Sequence, residues 1–113
     1  MPTSGARDLA LWVLGRRRRF RVTGMSMAPL LNPGDDVLVD PGAYRQRLPQ
    51  RDEIVVTRHP YRSDIRLIKR VAEVADDGRC RLQGDNPSES TDSRSFGWVT
   101  ADRVLGRVTS RMP

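Results

Sequence analysis

Two residues carry the chemistry this chain can do: Ser26, within Thr23-Gly24-Met25-Ser26-Met27-Ala28-Pro29, and Lys69, within Arg66-Leu67-Ile68-Lys69-Arg70-Val71. A serine hydroxyl is a weak nucleophile until a neighbouring base takes its proton, and serine–lysine pairs are one established solution. Twenty residues are basic; nineteen are arginine and Lys69 is the single lysine. A guanidinium stays protonated at any working pH, whereas an ammonium taken out of water can lose its proton and become a base. A lysine kept in a chain that otherwise uses arginine therefore points to a need for that chemistry. In a strand, Leu67, Lys69 and Val71 share one face, so the lysine points among apolar neighbours. At its usual pKa of about 10.4, a lysine is only about one part in a thousand neutral near pH 7.4; a lowering of about two units costs about 3 kcal/mol and raises that fraction roughly a hundredfold. Each residue also has a plainer reading. Gly-x-Ser-x-x-Pro alone is equally a turn, and a lone lysine in a β protein commonly snorkels from a strand edge.

The elements that must hold these residues are short. Residues 6–14 are good helix formers with Leu9, Trp12 and Val13 on one face, and Gly15 is the expected stop. So short a helix is expected to pack on the β core. Arg16 to Arg19 form a basic block that reads as a solvated face, or as a contact to a membrane surface or an acidic partner. From residue 20 the texture is β: 20–23, 37–40, 54–58, 65–75, 79–83, 97–99 and 104–108, separated by Asn32-Pro33-Gly34, Asp40-Pro41-Gly42, Asp76-Asp77-Gly78 and Asp85-Asn86-Pro87. Asp76-Asp77-Gly78 is expected to turn a hairpin. Gly24 is expected to supply an unusual backbone angle before Ser26, and Pro29 to stop the strand. With 113 residues the chain fits one domain: an N-terminal helix and basic segment over 1–19, and a β body over 20–113.

Composition excludes several classes. Cys80 is alone, so no intrachain disulfide is expected. One cysteine with one histidine makes no structural zinc site, and neither a metal nor a cofactor is expected. The longest apolar run, 9–14, is six residues against the roughly twenty that span a bilayer. Its basic block follows rather than precedes it, unlike a secretory signal. A soluble, cytoplasmic protein with at most peripheral membrane contact is expected. The net charge of +6 is spread along the chain with few aromatics, which argues against a nucleic-acid partner.

Three blocks together resemble the bacterial type I signal peptidase family of serine peptidases: Gly24-Met25-Ser26-Met27-Ala28-Pro29, Ile68-Lys69-Arg70-Val71, and Gly84-Asp85-Asn86-Pro87-Ser88-Glu89-Ser90-Thr91-Asp92-Ser93-Arg94. With Gly34-Asp35-Asp36-Val37 and Asp52-Glu53-Ile54-Val55-Val56 the resemblance covers about 20–110. It implies a mostly β, signal-peptidase-like folded antiparallel sheet or barrel with one short N-terminal helix. It also implies Ser26 as nucleophile, Lys69 as general base, Ser90 as the hydroxyl that orients the lysine amine, and Asp92 with Arg94 as a structural ion pair. The Ser26 backbone N–H is the implied oxyanion donor. Gly24 stands where some members carry a second serine, so a second donor there is a backbone group or is missing. Met25, Met27 and Pro29 are the implied substrate contacts. The chain departs from the family pattern at Leu30 and over 73–76, neither of which removes a catalytic group.

A narrower resemblance, to the nickel-type superoxide dismutase maturation proteases, rests on Arg58-His59-Pro60 and the compact Gly84-Asp85-Asn86-Pro87 turn. It implies a protein substrate, the precursor of that enzyme, whose leader is removed to expose a metal-binding N-terminus. The alternatives are signal-peptide removal from secretory preproteins and a self-cleaving repressor-type serine–lysine peptidase. His59 is expected in an exposed loop with no catalytic role, at most contacting the leader.

Overall fold

The computed structural model describes residues 1–62, 64–86 and 97–113. The β-branched runs form β1 (Arg18–Arg21), β2 (Asp36–Asp40), β3 (Ile54–Arg58), β4 (Arg66–Val74), β5 (Cys80–Gln83) and β6 (Val104–Arg111), and α1 spans Ala6–Val13. All six strands join one antiparallel sheet in the order β1-β2-β6-β3-β4-β5. The mostly β expectation with one short helix holds. Three boundaries differ. The first strand starts inside the basic block, because Arg18 to Arg21 pair with Val39 to Asp36. The last runs on to Arg111, whose partner is Val37. The 97–99 run contributes a single bridge, Val99 to Cys80.

Strand alternation divides the core in two. Val55 lies opposite Lys69, and its neighbour Val56 opposite Ile68, so adjacent β3 residues feed opposite faces. On one face Val37, Val39, Ile54, Val56 and Ile68 pack with Val22, Met27 and Leu31. On the other Val55, Val71, Cys80, Leu82 and Val99 form a second cluster. The middle of the sheet is tight: a Cβ on Gly106 of β6 would stand 2.6 Å from the Asp40 carbonyl oxygen of β2. At the β4–β5 hairpin Gly78 takes φ 89°, the left-handed backbone that glycine adopts without steric cost, as expected for Asp76-Asp77-Gly78.

Helix α1 departs from expectation. None of its residues is buried, and Val13 is 81% exposed, so the Leu9–Trp12–Val13 face does not seal against the core. A polar anchor holds the helix instead. The Asp8 carboxylate accepts from Thr109 Oγ1 at 2.6 Å and from Ser110 Oγ, and pairs with Arg17 Nε at 2.9 Å. Ser4 Oγ, buried beside it, shares a hydrogen bond with Ser110 Oγ. Burial pushes the Asp8 pKa up, but the bonds from Ser110, Thr109 and Arg17 outweigh it and leave the pKa below its ordinary value.

Candidate active site

The Ser26 segment leaves β1 and crosses the molecule. Val22 still pairs with the second strand's approach, donating to the Asp35 carbonyl at 2.8 Å and accepting from Gly34 N–H at 2.8 Å. The chain then turns, with Ala28 N–H donating to Met25 O at 3.1 Å and Leu31 N–H to Met27 O at 2.9 Å. Met27 and Leu31 are wholly buried and pin this turn into the first cluster, and Asn32 Nδ2 donates to Pro29 O at 3.1 Å. Ala28–Pro29 is a cis peptide. Ser26 sits half-buried on the rim between exposed Met25 and buried Met27.

Two sequence expectations change here. Gly24 is not among the glycines of positive φ, which are Gly15, Gly34, Gly78 and Gly97, so the sharp course of the turn is not a glycine-specific angle before Ser26. Its exposed position is open: a Cβ there meets nothing within 4 Å. Met27, read as a substrate contact, has no exposed surface; its side chain belongs to the core because the turn needs an apolar anchor. Met25, 47% exposed, and Pro29 remain accessible.

Lys69 is 2% exposed, on the face of β4 that carries Val71. Val55 lies across from it on β3, and Leu82 lies across from Val71 on β5. The snorkelling alternative fails, since this lysine lies inside the strand's packed face. The Arg70–Gln83 pairing, continued one step along each strand, sets Lys69 across from Gly84. Two residues further on, Asn86 grips the serine turn: its backbone N–H donates to Ser26 O at 2.8 Å and its Nδ2 to Met25 O at 3.2 Å. The turn that follows one edge strand, β1, is thus tied to the segment that follows the other, β5.

Arg70, next to Lys69 but on the opposite face, holds that segment. Its Nε and second guanidinium nitrogen each donate to Asp85 at 2.9 Å, and a third nitrogen to the Asp52 carbonyl at 2.9 Å. The Asp85 hydrogen bonds raise the Arg70 pKa further above its ordinary value, against a smaller opposing effect of burial. Sequence reasoning missed this pair and the Asn86 clasp. The signal was available: the hairpin at 76–78 brings Arg70 level with Gln83, and an acidic residue lies two positions on. The expected Ser90, Asp92 and Arg94 lie outside the described residues.

His59 is half-buried rather than exposed, because its Nδ1 accepts from the N–H groups of Tyr61 and Arg62, each at 3.2 Å. It organises the turn between β3 and β4. Among the described residues no group of three or more His, Cys, Asp or Glu could hold a metal, and no helix is long and apolar enough to cross a membrane.

The profile of the family described as "Signal peptidase, peptidase S26" matches residues 10–78. The chain belongs to this peptidase family. It is similar to the mitochondrial ATP-independent inner membrane protease subunit 1b of Arabidopsis thaliana, 33% identical over 111 residues, covering 79% of this chain and 66% of that protein. It is similar to the mitochondrial inner membrane protease subunit 2 of Danio rerio, 32% identical over 79% of this chain and 60% of that protein. Signal peptidase I of Pseudomonas fluorescens is 32% identical over 77% of this chain and 33% of its own length. The chain therefore spans two thirds or less of the length of these relatives. The family match includes both Ser26 and Lys69.

Proposed function

We propose that the chain is a serine endopeptidase in which Ser26 Oγ attacks the scissile carbonyl and Lys69 is the general base, removing an N-terminal leader from a precursor protein. The observation that carries this reading is the burial of the chain's single lysine on β4, across from the segment whose Asn86 grips the Ser26 carbonyl. Burial disfavours the charged amine and so favours the form that accepts a proton. Lys69 takes the proton from Ser26 Oγ as the acyl bond forms, returns it to the leaving amine, and then activates the water that releases the acyl group. The Ser26 backbone N–H stabilises the oxyanion, and Gly24 contributes no hydroxyl to this task. Ser90 is assigned to orient the Lys69 amine, and Asp92 with Arg94 to form a structural ion pair.

A leader is an extended segment that can pair with an exposed sheet edge, as β1 offers, while shallow pockets read a few of its side chains. Exposed Met25 and Pro29 flank Ser26 and are assigned to that contact. The relatives are inner membrane proteases and a signal peptidase, which favours a signal-peptide-like leader as the substrate. A narrower reading, the leader of a nickel superoxide dismutase precursor, is supported by Arg58-His59-Pro60, whose histidine shapes the turn after β3.

The test incubates the purified chain with each precursor, with and without liposomes, and locates the new N-terminus by mass spectrometry. Cleavage of the secretory preprotein at its leader supports the broader reading, and cleavage of the dismutase precursor before its metal-binding N-terminus the narrower one. Cleavage of neither, or the same products from Ser26→Ala protein, overturns the proposal.

A further inference from the structure

The first core cluster is not closed over its whole sheet face. Phe20, Val39, Val56 and Leu105, which belong to it or pack against it, line a cavity of about 640 Å³, a size that takes small ligands or a few side chains. The charged residues in its walls are all arginines, with Arg18 contributed by β1 and Arg58 and Arg66 by β3 and β4. Arg58 and Arg66 stand directly opposite each other, and like charges so placed repel unless an anion comes between them. Carboxylates lie nearby but outside the walls, and those closest in the fold are already engaged. Asp8 and Asp40 take Arg17 at 2.9 and 3.5 Å, and Asp36 takes Arg21 at 3.1 Å. Asp64 is exposed in the turn ahead of β4. Among the described residues no ion pair engages Arg18 or Arg66.

Strand direction connects this cavity to Ser26 and Lys69. Four successive antiparallel pairings lead from β1 through β2, β6 and β3 to β4, so β1 and β4 run the same way. Each begins at an arginine of the cavity and leads toward a residue of the proposed dyad: Arg18 along β1 toward the Ser26 turn, and Arg66 three residues, about 10 Å, before Lys69. β5 pairs with β4 only from Arg70 to Val74, so Arg66 to Ile68 have a partner strand on one side alone among the described residues. An extended chain laid along this open part of β4 passes from the arginines to the dyad. We propose that the cavity selects precursors that carry an acidic side chain about three to five residues from the scissile bond, with Arg66 as its main contact and Arg58 and Arg18 beside it. The inference rests on the peptidase reading and adds to it which substrates are taken. Guanidinium groups grouped above an apolar floor hold a carboxylate by charge-assisted hydrogen bonds and repel a basic side chain at the same position.

The test uses peptides that span the leader junctions of the secretory preprotein and of the dismutase precursor, with Asp, Asn or Lys placed in turn at each position flanking the cut. On one side of the cut, at about three to five residues, Asp should raise kcat/KM about tenfold over Asn, Lys should lower it, and salt should narrow the difference. Arg66→Gln should erase the preference for Asp, and Arg66→Glu should reverse it toward Lys, which a merely structural role would not do. Circular dichroism verifies that the variants are folded, as exposure of Arg66 leads one to expect. Binding is read separately on Ser26→Ala protein carrying Trp98→Phe, in which Trp12, a wall of the cavity, is the one emitter. The Asp peptide should perturb Trp12 emission at lower concentration than the Lys peptide, and Arg66→Glu should invert that order. Equal cleavage of the Asp, Asn and Lys peptides, or a preference that survives in folded Arg66→Glu protein, overturns the inference and leaves the peptidase reading standing. If no peptide is cleaved, the peptidase reading falls, and equal binding of the Asp and Lys peptides overturns the site as well.

Discussion

Asn86 holds Ser26 through the backbone: its N–H donates to the Ser26 carbonyl at 2.8 Å, and its side-chain amide to Met25 O at 3.2 Å. The serine turn is therefore set by the segment after β5, which is set in turn by the bidentate Arg70–Asp85 pair. Asn86→Ala keeps the backbone bond and loses the amide. A small displacement of a nucleophile is costly because the reacting atoms need near-attack geometry. A fall in kcat of about ten- to a hundredfold, with KM nearly unchanged and a melting temperature close to wild type, is expected in steady-state assays on a leader peptide.

Gly24→Ser should raise activity. The position is open, with nothing within 4 Å of a Cβ, and its φ lies outside the left-handed region, so a serine is accommodated without strain. A hydroxyl there is available as a second oxyanion donor, a contribution worth on the order of 10²–10³ in rate where one is removed. An increase of about tenfold or more in kcat/KM is the expected reading, and a Gly24→Ala control should show none.

Gly106→Ala should destabilise the fold without touching the site. Its Cβ would stand 2.6 Å from Asp40 O and 2.7 Å from Val39 Cγ1, so β2 and β6 would have to part where they pair. The cost expected from overpacking is about 1–3 kcal/mol, read by urea denaturation.

Acid should loosen the N-terminal anchor. The folded-state pKa of Asp8 lies below its ordinary value of 3.8, and that of Glu53, held by Arg47, Gln50 and Tyr44 against the effect of burial, lies below 4.5. A carboxylate depressed in the folded state contributes stability above its unfolded pKa, and the contribution is lost as pH falls through the folded value. Asp8→Asn should therefore be less stable than wild type at neutral pH, with the gap closing as pH drops below about 4. Denaturation midpoints measured across that range check the sign.

Much of this was legible in the sequence because alternation and turn residues are local. The positions flanking Asp76-Asp77-Gly78 announced the hairpin, and Leu67-Lys69-Val71 announced the buried face. What local pattern could not show was set by contacts distant in sequence. Asp8 looks like a first-turn acid, yet its partners are Thr109 and Ser110, so the helix is held by a polar anchor and its apolar residues stay out. Met27 stands next to Ser26 in the motif and reads as a substrate contact, until the turn from 25 to 31 folds it inward. Arg70 and Asp85 are fifteen residues apart and meet through strand register, which a motif does not encode.

The central claim is that Ser26 and Lys69 act as one unit, and a double-mutant cycle on leader cleavage tests it most directly. Residues of one catalytic unit are strongly non-additive, because removing either already disables the step that both serve. Lys69→Met keeps the buried volume without the amine and should stay folded, since replacing a buried ionisable group by an apolar one of similar size is often neutral or stabilising. Ser26→Ala, Lys69→Met and the double variant should each lose kcat by about the same factor, at least about a thousandfold. A folded Lys69→Met protein within tenfold of wild type, or a double variant whose loss is the product of the two single losses, would contradict the account.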